Sequence, residues 1–280
     1  MKIKILSDST CDLPKELIEK YDIDILPLTI IKDDQPFTDG VNITPREIFD
    51  HVAAGGSLCS TSAINYETYK EAFRRYADTY EGVICVNLGS GFSSCYQNAS
   101  LAASEFSNVR AVDSMSLSTG QGRIVVKAAQ LAETCRDLDQ LKAQLEEYAS
   151  HIEISFLLNR LDYMAKGGRC SSATALGANL LHLRPCIEVK DGKMTVVKKY
   201  RGSYDKCLHN YIKDRLSGRE DIEDDMLFLT YTEVDSLCYN TVKDAIRQYG
   251  RFQNVYESIA GGTITCHCGP DTLGIIFVRK

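Results

Sequence analysis

Four polar clusters in the chain hold residue types that can do chemistry. They are Ser60-Thr61-Ser62, Gly89-Ser90-Gly91-Phe92-Ser93-Ser94, Lys166-Gly167-Gly168-Arg169, and His267 within Thr265-Cys266-His267-Cys268-Gly269-Pro270. Two chemistries suit them. The first is the holding of an anion. A helix N-terminus presents unpaired N–H groups and a partial positive charge, and the small residues at 89–94 stand where a helix begins. Ser93 adds a hydroxyl there, and the other clusters could converge on the same anion. The second is nucleophilic. Gly91-Phe92-Ser93-Ser94-Cys95 sits where the nucleophile elbow of an α/β-hydrolase would sit, with His267 late in the chain and Asp235 a conceivable orienting acid. Cys95 takes the place of that elbow's second glycine, which weighs against it.

Each residue also has a plainer reading. Ser93 alone is best read as a helix N-cap, and Thr61 and Ser62 as loop hydroxyls bonded to nearby backbone. Arg169 reads as a charge following a helix stopped at Gly168, and His267 as a satisfied histidine in or near a strand. Metal binding is not expected. If extended, Cys266-His267-Cys268 sends its cysteines to one face and the histidine to the other, and no second Cys/His cluster has ligand spacing. Nucleotide motifs fail too: no G-x-x-x-x-G-K-[ST] is present, and Gly89-x-Gly91-x-x-Ser94 is a damaged G-x-G-x-x-G.

The elements that must carry these clusters are legible from period and caps. Residues 2–6 alternate as a strand, and Pro14 opens a helix over 15–21 after the polar turn Asp8-Ser9-Thr10. Residues 23–31 read as one strand, closed by the turn Lys32-Asp33-Asp34-Gln35-Pro36. Thr44-Pro45-Arg46-Glu47 is a capping box, and Asn65 caps a helix with Tyr66, Tyr69, Phe73 and Tyr76 as a core stripe. Residues 82–88 are almost wholly apolar, as in a central strand covered on both faces. A helix with Tyr96 and Ala99, a strand at 109–112 and helices at 118–134 and 138–150 follow. Such alternation predicts a parallel, doubly wound sheet. Ligands of such sheets sit beyond the carboxyl ends of the strands, where Ser9, Thr10 and residues 89–93 fall.

The second half reads differently. A strand at 152–158 and a helix at 159–166, stopped by Gly167-Gly168, precede a hairpin over 186–198 that turns at Lys190-Asp191-Gly192-Lys193. Helices at 204–216 and 236–249 alternate with strands at 226–231, 255–259 and 272–278. The fold class is therefore α/β: a parallel-sheet domain over 1–150 and an α+β domain with a mixed or antiparallel sheet over 151–280.

Composition narrows the function classes. A formal net charge of −6 without a basic tract disfavours nucleic acid as partner. No apolar run reaches the roughly 18 residues of a membrane span. The eleven cysteines are odd in number and contain no C-x-x-C, and the N-terminus opens directly on a strand. A cytoplasmic protein with reduced thiols is the expectation.

Across nearly its whole length the sequence resembles the DegV family. The matching pieces include Asp8-Ser9-Thr10-Cys11-Asp12-Leu13-Pro14, Ser60-Thr61-Ser62, Gly91-Phe92-Ser93, Tyr96-Gln97, Asp113-Ser114, Lys166-Gly167-Gly168-Arg169, and His267 followed by Gly269-Pro270. The resemblance implies a Rossmann-like domain joined to an α+β domain, with a long-chain fatty acid buried between them. It implies a non-catalytic lipid carrier, the binding subunit of a bacterial fatty acid kinase, with no cofactor beyond the bound lipid. A separate ATP-binding subunit similar to dihydroxyacetone kinase would phosphorylate the carboxylate. Thr61 and Ser93 would donate to that carboxylate, Arg169 and His267 would complete the polar network, and Ser62 and Ser94 would support it. Arg201 resembles a position that docks the kinase subunit. The sequence departs from the family pattern at Ala63-Ile64, usually Gln-Pro, and at Phe92, Ser94 and Cys95, usually Leu, Gly and Thr. These departures bear on acyl-chain preference. The remaining alternatives are a Ser93/His267 hydrolase and a carrier of another amphipathic acid.

Overall fold

The computed structural model describes residues 1–175 and 183–280. β1 (Ile3–Asp8) runs into a 3-10 turn at Ser9–Cys11 and α1 (Lys15–Lys20), followed by β2 (Asp24–Leu26), β3 (Thr29–Lys32) and β4 (Gln35–Thr38). α2 (Pro45–Ala53), β5 (Ser60–Ser62), α3 (Tyr66–Ala77), β6 (Gly82–Asn87), α4 (Cys95–Ala103), β7 (Val109–Asp113), α5 (Ser118–Ala132) and α6 (Leu138–Ala149) complete the first half. β1, β2, β6 and β7 form a parallel sheet in the order β2-β1-β6-β7. All six residues of β6 are buried, so helices cover the sheet on both faces.

The second half contains β8 (Ile152–Leu157), α7 (Asp162–Gly167), α8 (Ser171–Thr174), β9 (Leu183–Lys190), β10 (Lys193–Arg201), α9 (Tyr204–Leu216) and β11 (Met226–Tyr231). α10 (Ser236–Tyr249), β12 (Asn254–Ile259), α11 (Gly262–Cys268) and β13 (Leu273–Val278) follow. Its six strands form one mixed sheet, β10-β9-β8-β13-β11-β12, antiparallel except where β11 meets β12. One hydrophobic core runs from the parallel sheet onto one face of this mixed sheet, and a second fills the space beneath α9 and α10.

Two local expectations need correction. Residues 23–31 are not one strand. Pro27 has no N–H for the ladder, and the Leu28 N–H turns aside to donate to Ser9 Oγ at 3.1 Å. The chain therefore leaves the parallel sheet after Leu26 and enters a small antiparallel sheet, β4-β3-β5. The turn joining β3 to β4 is only Asp33-Asp34, both left-handed at φ 48° and 60°. Pro36 lies within the edge strand β4, where a missing N–H is tolerated. The second correction concerns His267. Its segment is helix α11, not extended chain, so the face-alternation argument against metal ligation by Cys266-His267-Cys268 does not apply. Consecutive helical side chains diverge by about 100°.

Candidate ligand-binding site

α11 is made of poor helix formers and has no capping side chain of its own. Asp39 caps it from the other half of the chain. Its carboxylate accepts from Gly262 N at 3.0 Å, Thr263 N at 3.2 Å and Thr263 Oγ1 at 2.6 Å, and from Ser9 Oγ at 2.9 Å. The helix stops at Gly269, whose φ of 74° and ψ of 178° suit glycine alone, with Pro270 beyond. Between these ends Thr263, Ile264, His267 and Cys268 recur at helical spacing and face one cavity.

That cavity, of about 240 Å³, draws its lining from both halves of the chain. Thr61, Ser62, Phe92, Ser93 and Ser94 come from the first half; Met164, Arg169, Met194 and His267 come from the second. Thr61 is held by β5, where it pairs with Ile30 of β3. The loop carrying Ser93 is fixed at its root by Asp8, buried at the carboxyl end of β1, which accepts from Leu88 N at 2.7 Å. Its other flank meets the β9–β10 hairpin: a Cβ on Gly91 would stand 2.1 Å from the carbonyl oxygen of Gly192. That hairpin turns through Asp191 and Gly192 at φ 50° and 69°, as its Asp-Gly sequence predicts.

Four of the expected donors do come together. Thr61 Oγ1 and His267 Nε2 are 2.9 Å apart. Arg169 reaches toward the Ser93 loop, donating from Nε to the carbonyl of Phe92 at 3.4 Å. It also donates from Nη1 to Gly167 O at 2.6 Å, so its plainer role at the α7 C-terminus is present as well. Ser93 Oγ accepts from Cys95 N at 3.2 Å, although Ser94 occupies the N-cap position of α4. Ser62 and Ser94 line the cavity on its exposed side. Ser9 and Thr10 lie at the same sheet edge but face inward to Asp39, Asp8 and Gln121 and are absent from the lining. Arg201 ends the edge strand β10, exposed and away from the cavity.

Burial, and then the neighbouring Arg169 guanidinium, push His267 down to about 4, so the ring is neutral at pH 7. Its Nδ1 is buried without a hydrogen-bond partner, against the backbone of Gly167. A hydrolytic histidine needs an orienting acid at that atom. Asp235 is engaged instead in capping α10, accepting from Cys238 N at 2.8 Å. The Ser93/His267 pair therefore has no third member among the described residues.

Below the polar groups the chemistry changes. Leu117, Ile264 and Cys268 also border a second, narrow cavity lined by Ile154, Phe156, Tyr231 and Ile276 between α11 and the mixed sheet. Its hydroxyl groups are tied into the protein: Ser118 Oγ donates to Asp12 at 2.5 Å and Thr272 Oγ1 to Cys268 O at 2.9 Å. The arrangement is a donor-rich cavity backed, across Leu117, Ile264 and Cys268, by a small apolar one of about 30 Å³. The sequence reading missed Leu117, Met164, Met194 and Ile264, which carry no signal separable from ordinary core.

A family model described as an uncharacterised protein of the DegV family matches residues 2–280. A fatty acid-binding protein of Thermotoga maritima is 30% identical over 286 residues, spanning 98% of this chain and 96% of its own length. A DegV domain-containing protein of Clostridium acetobutylicum is 30% identical over 283 residues, spanning 100% of this chain and 99% of its own. Among solved structures, a DegV family protein from Thermus thermophilus described for fatty acid binding superposes with a TM-score of 0.89 at 26% identity, over 100% of both chains.

Proposed function

The chain belongs to the DegV family, and on that footing we propose that it binds a long-chain fatty acid and presents it to a separate kinase subunit. Thr61, Ser93 and Arg169 donate to the carboxylate, His267 completes the site through Nε2, and Ser62 and Ser94 support it from the mouth. The acyl chain enters the apolar slot between the two halves, taken as domains over 1–150 and 151–280. One observation carries this reading: the cavity holding the four polar residues shares Leu117, Ile264 and Cys268 with an apolar slot. A carboxylate needs charge-assisted donors and an alkyl chain needs none, and the two kinds of lining adjoin at these three residues.

The protein supplies no catalytic residue and no cofactor of its own in this reading. The partner is an ATP-binding subunit that phosphorylates the exposed end of the carboxylate, and Arg201 helps to dock it. Nucleic acid is not a partner. A cytoplasmic location accords with the eleven free thiols and with the absence, among the described residues, of a helix long and apolar enough to cross a membrane. Solvent extraction and native mass spectrometry of the purified protein test the binding. A co-purified fatty acid, or uptake of added palmitate or oleate, is expected; neither occurring would overturn it.

A further inference from the structure

Asp39 is 4% exposed and lies outside the lining of the cavity, yet it holds the supports of two of the cavity's walls. A carboxylate accepts about four hydrogen bonds, and four donors fill this one. Oδ1 accepts from Gly262 N at 3.0 Å, and Oδ2 accepts from Thr263 N, Thr263 Oγ1 and Ser9 Oγ at 3.2, 2.6 and 2.9 Å. Glycine at 262 permits this approach, since a Cβ there would stand 2.7 Å from Asp39 Oδ1 and 2.6 Å from Ile30 Cδ1. The second wall is Leu28. Ser9 Oγ accepts in turn from Leu28 N at 3.1 Å, and the Asp39 amide donates to Leu28 O at 3.0 Å. Leu28 lines the cavity, as do Thr263, Ile264, His267 and Cys268 of α11.

We propose that Asp39 is a positioning residue for the bound ligand, seating α11 so that His267 and Thr61 meet the ligand's head group together. What is bound rests on the fatty-acid reading above; the placement of His267 does not. Asp39 directly follows β4, in the small sheet whose strand β5 carries Thr61. Its carboxylate therefore joins the support of Thr61 to the helix that carries His267. The two side chains end 2.9 Å apart, Thr61 Oγ1 to His267 Nε2. Asp39 acts only through these neighbours. Its lone pairs are taken, and an ionised carboxylate has no proton with which to meet another carboxylate.

The helix depends on this outside support. α11 has only seven residues and no capping side chain of its own, and so short a helix does not hold itself together. A shift at Gly262 and Thr263 carries along two turns to His267. Asparagine at 39 would keep the size of the side chain and lose its function. One oxygen would become an NH2 group, which cannot accept. Facing one way it would confront the Gly262 N–H, and facing the other it would confront the three donors now on Oδ2.

The test is a double-mutant cycle on the full-length protein, read by palmitate affinity and by NMR of the histidine rings. Asp39→Asn should lower palmitate affinity roughly tenfold, the contribution of one hydrogen bond to a charged group. In a His267→Gln background the same change should cost about twofold or less, because the group being placed is gone. In the ligand-free protein, the His267 signal, assigned by its loss in His267→Gln, should move in Asp39→Asn toward that of an exposed histidine. Ser9→Ala removes one donor from Asp39 and the acceptor of Leu28 N. It should show the same pattern with a loss of about threefold, and it carries the test if Asp39→Asn does not fold. Palmitate affinity equal to the parent's, an equal loss with and without His267, or an unmoved His267 signal would each overturn the proposal. A parent that binds no palmitate would instead strike the fatty-acid reading, and the His267 signal of the ligand-free variants would still decide the role of Asp39.

Discussion

His267 Nδ1 occupies the space that a side chain at position 167 would need, for a Cβ on Gly167 would lie 2.4 Å from it. The glycine at this point of the Lys166-Gly167-Gly168-Arg169 segment is thus a packing surface for the imidazole. Gly167→Ala should turn the ring away from Thr61 and lower fatty acid affinity about tenfold, with an overpacking cost of about 1–3 kcal/mol in stability. Isothermal titration and urea unfolding of the variant measure the two effects. Unaltered affinity would show that the ring's position is not set by Gly167.

The carboxylate donors can be removed singly. Ser93→Ala and Thr61→Val each delete one hydrogen bond to a charged group, a contribution of about 1.5–3 kcal/mol, so affinity should fall roughly 10- to 150-fold. Both positions are only partly buried, and the fold should survive. Two variants that bind as the parent does would place the carboxylate elsewhere. The same Ser93→Ala protein separates carrier from hydrolase. The parent should not turn over a nitrophenyl ester above background, and labelling of Ser93 by a fluorophosphonate would reverse that assignment.

Two buried titratable groups near the site pull stability in opposite directions with pH. His267 is held down from 6.5 to about 4 by burial and Arg169. Its contribution is full above about 6.5 and is lost as pH falls toward 4, because the unfolded chain takes up the proton first. Asp12 is pushed up from 3.8 to about 8, chiefly by burial. Its contribution is full below 3.8 and is lost as pH rises through about 8. His267→Gln should therefore flatten the rise in unfolding free energy between pH 4 and 6.5. Asp12→Asn keeps an acceptor for Gly261 N, now at 2.8 Å, and should remove the decline toward pH 8. An imidazole titrating near 6.5 by NMR would contradict the burial assigned to His267.

Much of this site was legible because local signals agreed with the fold. The Thr44–Glu47 capping box starts α2 as its sequence predicts, and Asp191-Gly192 sets the hairpin that supports Gly91. The segments that resisted reading take their structure from distant partners. Ser60-Thr61-Ser62 is too short and polar to alternate, and becomes a strand only by pairing with β3. Residues 262–268 contain β-branched residues, cysteines and a glycine, all weak helix formers, and are capped by Asp39 from 223 positions away. A cap supplied through tertiary contact leaves no trace beside the helix it starts.

Arg201 presents the final test, because two readings of it predict different losses. It ends β10, an edge strand of the mixed sheet, opposite Leu183. Among the described residues its side chain makes no hydrogen bond or ion pair. As a solvated edge charge it would merely discourage pairing with another sheet. As a docking residue it would meet an acidic patch on the kinase subunit. Arg201→Ala should then leave palmitate affinity intact, since Arg201 does not line the cavity, while weakening phosphorylation in a reaction reconstituted with the ATP-binding subunit. Removing one charge pair at an exposed rim mainly slows association. The parent's advantage should accordingly be largest at low ionic strength and shrink as salt screens the remaining field. Phosphorylation unaffected at every salt concentration would return Arg201 to the role of edge charge. Loss of palmitate binding would contradict both readings and require the residue to reach the cavity.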